Sequence, residues 1–131
     1  MRNREPDADL DQLAHSTIGA AIEVHRVLGP GFIEKVYEEA LCVELEARRI
    51  PYDRQYSVGV NYKGRIVGEG QLDILIDKRL ILELKAVESL LPVHTAQLLS
   101  YLKTTGYPLG LLINFNVPIL KQAIKRIVLS K

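Results

Sequence analysis

The chain has 131 residues, 17 Lys and Arg against 16 Asp and Glu, and a formal net charge of +1. That length fits one domain with a real core, and near-neutrality leaves no general basic field for holding nucleic acid, so such contact would need a local patch. One cysteine, Cys42, excludes an internal disulfide and reads as a small apolar residue in a reducing compartment.

No apolar run is long enough to span a bilayer, and the N-terminus lacks an apolar signal core, so a cytoplasmic, soluble protein with no membrane partner is expected. Residues 1 to about 8 are polar and expected to be frayed. Asp9 and Gln12 resemble a capping box, and Leu10, Ala14, Ile18, Ala21, Val24 and Leu28 recur at helical spacing until Gly29-Pro30-Gly31. His15 and His25 on this helix have no histidine or cysteine at ligand spacing and read as packing or surface residues. A second helix is expected from near Gly31 to about Arg49, stopped by Pro51. Gly31, Glu34 and Tyr37 form one row at its start, where free N–H groups favour anions and glycine permits close approach. Equally, Glu34 reads as a first-turn acid complementing the dipole, and Tyr37 as a core aromatic with a wet hydroxyl.

Alternation from Tyr56 to Tyr62 gives a first strand, Lys63-Gly64 a turn, and Arg65 to Ile76 a second strand in which Gly68 and Gly70 suggest a bulge or a close approach. A third strand runs from Leu80 to about Val87. With Asp77-Lys78-Arg79 as the turn, Ile76 faces Leu80 and Asp73 lies opposite Glu83. Period-two alternation then puts Asp73, Glu83 and Lys85 on one face. Carboxylates about 5 Å apart at Cβ repel each other unless a cation sits between them, and hard oxygen ligands suit Mg2+ or Mn2+. The plainer alternative is an edge hairpin carrying charges on its solvent face.

Pro92 opens a third helix to Thr105, ended by Gly106, with His94, Gln97 and Tyr101 along one side. These groups could reach a phosphate or water, or simply form the polar side of an amphipathic helix. Leu109 to Phe115 reads as a buried strand, and Asn116 and Pro118 as the start of a last helix bearing Lys121, Lys125 and Arg126. The expected fold is α/β, in the order α-α-β-β-β-α-β-α, with a four-stranded mixed sheet flanked by helices. Neither Gly29-Pro30-Gly31 nor Gly68-Glu69-Gly70 sits between a strand and a helix as nucleotide binding requires.

With these residues placed, the chain resembles the GxxExxY family, a branch of the PD-(D/E)XK nuclease-like superfamily. The name motif stands as Gly31-Phe-Ile-Glu34-Lys-Val-Tyr37 and the superfamily motif as Asp73 with Glu83-Leu84-Lys85. Ala96-Gln97-Leu-Leu-Ser-Tyr101 is similar to the Gln-xxx-Tyr motif of RecB-type nucleases, and Leu72 replaces the proline of the short motif. The resemblance runs from about Ile18 to Phe115. It implies a restriction-endonuclease-like core and a metal-dependent nuclease hydrolysing DNA, with Mg2+ or Mn2+ as cofactor. Glu34, Asp73, Glu83 and the backbone carbonyl of Leu84 would bind the metal. Asp73, Glu83, Lys85 and Glu34 would be catalytic. Gln97, Tyr101, Tyr37 and His94 would position substrate or water. RNA as substrate, a catalytically silent module in nucleic-acid binding or assembly, and a homodimer or larger complex stay open.

Overall fold

The computed structural model describes residues 7–129. Helix α1, Ala8–Leu28, starts where the Asp7 carboxylate accepts the Leu10 N–H at 2.8 Å. The cap is therefore Asp7 rather than Asp9, and residues 7 and 8 belong to the helix start instead of a frayed end; residues 1–6 lie outside the described residues. Gly29, at φ 68°, stops the helix and turns its N–H back to the His25 carbonyl. Helix α2 covers Glu34–Ala47, three residues later than expected, because Gly31 stands at φ +111° outside helical space. Arg49, also at positive φ, leads the chain out of α2 toward the sheet.

Strands β1, Tyr52–Tyr62, and β2, Arg65–Ile76, form a long antiparallel ribbon joined at Lys63-Gly64, both at positive φ as a tight hairpin demands. The Asn61 side chain accepts the Gly64 N–H at 2.9 Å and fixes that turn. Strand β3, Leu80–Lys85, is shorter than the expected 80–87. Helix α3, Pro92–Thr105, then crosses over so that β4, Leu109–Asn114, pairs parallel to β3.

The chain end corrects the sequence reading. A 3₁₀ turn at Leu120–Ala123 is followed by strand β5, Ile124–Val128, antiparallel to β4. Without β5, β4 would leave an open edge although all six of its residues are buried. Ile124, Ile127 and Val128 are β-branched and suit that edge, which carries Lys125 and Arg126 on its exposed positions. The mixed sheet thus has five strands in the order β1-β2-β3-β4-β5.

Two cores flank it. Under α1 and α2, Leu41, Leu45 and Tyr37 meet Ile74, Leu82, Leu84 and Ile113; under α3, Leu98 and Leu102 meet Leu72, Leu75, Ile81 and Leu112. Tyr37 stacks on Phe115 at 4.6 Å, an aromatic contact contributing about 1 kcal/mol beyond area burial. His25 bonds through Nε2 to the Val117 carbonyl at 2.7 Å, so it is a packing residue that ties α1 to the chain beyond β4. Cys42 is free and buried in the first core.

Candidate active site

The β2–β3 hairpin has the register that follows from Asp77-Lys78-Arg79 as the turn: Ile76 pairs with Leu80, Leu75 with Ile81 and Ile74 with Leu82. Asp77 and Lys78 adopt positive φ, and the Arg79 N–H closes the turn on the Ile76 carbonyl at 2.9 Å. One step further, at Asp73 and Glu83, the backbone ladder gives way to side chains. The Glu83 carboxylate accepts the Asp73 N–H at 3.1 Å, and the Asp73 carboxylate accepts the Leu84 N–H at 2.8 Å. Each acid satisfies the backbone of the opposite strand, which fixes both carboxylates at the point where the strands separate.

Simple alternation is not what assembles the pair. Leu72 and Leu75 both pack beneath α3 while Ile74 packs on the opposite side, so β2 breaks period two beside Asp73. The partner position on β1, Gln55, has φ 48° and is skipped in the pairing between Arg54 and Tyr56. The acids meet through exchanged side-chain-to-backbone bonds at a local irregularity, of a kind that strands use to re-aim side chains.

Burial and mutual repulsion shape the charges. Glu83 is only 3% exposed, and desolvation first, then the charge of Asp73, pushes its carboxyl up to about 8. Burial likewise raises Asp73, against the stabilising Leu84 N–H. Glu34, the first residue of α2, stands at the exposed rim, where partial desolvation and then Asp73 hold its carboxyl above the ordinary range. Lys85 acts on all three acids in the opposite sense. Among the described residues it forms no ion pair within 4.0 Å. Three acids against one amine leave this corner short of positive charge.

That deficit and the all-oxygen donors fit a hard divalent cation. Among the described residues, no three histidine, cysteine or acidic side chains converge into a ready-made metal site. The close donors are the two carboxylates of Asp73 and Glu83, with Glu34 coupled to them by charge from α2.

Comparison with known proteins gives the superfamily. A family model described as the PD-(D/E)XK nuclease superfamily matches residues 11–127. The chain belongs to the PD-(D/E)XK nuclease superfamily. A crystal structure of the protein named SSO0001 resembles it with a TM-score of 0.57 at 21% identity, over 95% of this chain and 59% of that one. That likeness is one of fold, and the chain spans under two thirds of that neighbour's length. No curated protein sequence matches the chain.

In this PD-(D/E)XK chain the remaining sequence-predicted site residues fall into separate roles. Tyr37 is fully buried, its hydroxyl donating to the Gly29 carbonyl at 2.6 Å and accepting the Phe32 N–H at 3.2 Å. Its hydroxyl ties down the loop before α2. His94 accepts the Leu91 N–H at 3.0 Å through Nδ1 and caps α3. Gln97 is exposed beside Val93, Ala96 and Ser100 in a shallow pocket. Tyr101 packs against Gly70 of β2: a Cβ there would stand 2.6 Å from its ring. Among the described residues, the side chains of Gln97 and Tyr101 make no hydrogen bond to the carboxylate pair.

Sequence reasoning missed a supporting layer. Glu38 is buried one turn beyond Glu34, bonded twice by Arg54 (2.9 and 3.1 Å) and by the Gln55 amide at 3.2 Å. Its charge raises both Glu34 and Asp73. On the other side, buried Asn114 accepts the Val87 N–H at 3.0 Å and donates to the Val87 carbonyl at 2.9 Å, fixing the chain just after Lys85. The Glu-x-x-x-Glu spacing on α2 was the available signal for Glu38; nothing local marks Asn114.

Proposed function

We propose that the protein is a Mg2+- or Mn2+-dependent nuclease that hydrolyses phosphodiester bonds in DNA. The observation carrying this reading is the buried Asp73–Glu83 pair, cross-bonded between strands beside Lys85. Asp73, Glu83, the Leu84 carbonyl and Glu34 would hold the ion. When bound, it would supply an activated water at neutral pH and charge stabilisation on the phosphoryl oxygens. Lys85 would orient the attacking water and steady charge on the phosphate, while Gln97 and Tyr101 position substrate from α3.

On this reading the Gly31, Glu34 and Tyr37 row has a physical rationale. Gly31 supplies a positive φ, and the Tyr37 hydroxyl ties down Gly29 and Phe32. Together they present Glu34 as the first residue of α2, beside the acids of the sheet. The motif is thus a presenting device for one carboxylate. The second reading, a silent module of the same fold, is favoured by the net charge of +1.

The test is cleavage of single- and double-stranded DNA, and of RNA, with Mg2+ or Mn2+. Activity is expected on DNA and is expected to vanish in Asp73→Ala, Glu83→Ala and Lys85→Ala. Cleavage that survives all three substitutions, or none by folded wild type with either metal, would refute the reading.

A further inference from the structure

The β1–β2 ribbon extends well past the body of the sheet. β2 pairs with β3 only from Ile74 onward, whereas β1 and β2 stay paired out to Tyr62 and Arg65. Along this arm Val60, Tyr62, Ile66 and Val67 are exposed at 37%, 61%, 64% and 63%. β1 is also an edge of the sheet. Edge strands are normally blunted by charge, and the opposite edge, β5, carries Lys125 and Arg126. The base of β1 has Asp53 and Arg54, but from Gln55 to Tyr62 it has no Asp, Glu, Lys or Arg.

The order of residues along this uncharged edge is self-complementary. Tyr56-Ser57-Val58-Gly59-Val60-Asn61-Tyr62 reads almost identically in both directions about Gly59. Two antiparallel copies centred there would set Tyr56 opposite Tyr62, Ser57 opposite Asn61 and Val58 opposite Val60, with Gly59 on the two-fold axis. That is the demand of an isologous interface, in which one patch must fit itself. Beyond Gln55 the ribbon has one register shift, between Val60 and Asn61, and its extra residue is Val67 on β2, so β1 runs uninterrupted from Tyr56 to Tyr62. Seven paired residues would give a ladder of about 24 Å. Pairing tip to base also puts the two bodies at opposite ends of the shared ribbon.

We propose that the protein forms a two-fold homodimer through antiparallel pairing of β1, residues 56–62, with the same segment of a second copy. Sedimentation velocity on the full chain should show a concentration-dependent dimer. Ser57→Lys with Asn61→Lys places like charges opposite each other twice and should weaken the dimer about tenfold. Ser57→Lys with Asn61→Glu places opposite charges there and should restore it. Circular dichroism checks that each variant is folded. In the same register, Ser57→Cys chains mixed with Asn61→Cys chains should form a disulfide-linked pair that neither forms alone, with Cys42 buried and silent. A wild type that stays monomeric, a dimer indifferent to the charge swap, or equal cross-linking of each variant with itself would overturn the proposal. So would a monomer whose ribbon variants lose DNA binding, which would make the arm a nucleic-acid contact.

Discussion

Replacing Glu83 by Gln should stabilise the metal-free protein, by an amount that grows with pH. Glu83 is buried beside Asp73, and its carboxyl is pushed up to about 8 from the ordinary 4.5. Below pH 4.5 the group is protonated whether the chain is folded or unfolded, and this site adds no strain. Between 4.5 and about 8 the unfolded chain gives up the proton while the folded chain keeps it. Stability therefore falls as pH rises through that window, by about 1.4 kcal/mol per pH unit. The loss reaches about 3 kcal/mol at pH 7, with an upper limit near 5 kcal/mol once the group is ionised in both states. Gln is isosteric, never ionises, and can still accept the Asp73 N–H through its side-chain carbonyl. Urea unfolding or thermal melts in a chelator should therefore show wild type and Glu83→Gln nearly equal at pH 4.5. By pH 8 they should differ by about 3–5 kcal/mol, or about 12–20 °C for a chain of this size. Mn2+ at a hundred times its dissociation constant should return about 2.7 kcal/mol to wild type at pH 8 and little to the variant. A variant no more stable than wild type at pH 8, or a difference that does not change with pH, would refute the reasoning.

Tyr37→Phe removes the bonds to Gly29 and Phe32 while keeping the stack on Phe115, and should cost about 1–2 kcal/mol in urea unfolding. Cleavage should fall along with it, because Glu34 loses its fixed loop. Gly70→Ala drives a methyl into the Tyr101 ring and should destabilise by about 1–3 kcal/mol; in a Tyr101→Ala background the same change should cost under about 0.5 kcal/mol, as a double-mutant cycle would show. Asn114→Ala leaves the Val87 N–H and carbonyl without their side-chain partner and should lose about 2–3 kcal/mol, with hydrogen exchange rising at residues 86–88.

Much of the site was legible because its information is local. The Asp77–Arg79 break with apolar arms points to a register that runs to Ile74 and Leu82 and makes Asp73 and Glu83 the next residues along the two strands, where exchanged side-chain-to-backbone bonds take over from the ladder. The Gly31–Glu34–Tyr37 row likewise points to a helix beginning in this stretch, although α2 starts at Glu34 rather than near Gly31. What local pattern cannot supply is where a polar tip ends up. Tyr37 at helical spacing suits core and site equally, and its partners lie in irregular chain at Gly29 and Phe32. His94 looks like part of a polar row but caps its own helix. Glu38 needs Arg54 and Gln55 from another element, sixteen and seventeen residues away. The last element misled for a tertiary reason: Asn116 and Pro118 imitate a helix start, yet the open edge of β4 recruits residues 124–128 as a strand. Alternation was the right idea for β3 and too simple for β2, where Leu72 and Ile74 pack in different cores beside the irregular Gln55.

Isothermal titration of Mn2+ into metal-free protein at pH 8 tests the central claim most directly, namely that the acids at the β2–β3 split exist to hold a divalent ion. Saturable binding is expected in wild type, weakened in Glu34→Gln, abolished in Glu83→Ala and retained in Lys85→Ala. Absence of binding by folded wild type, or unchanged binding by Glu83→Ala, would contradict it.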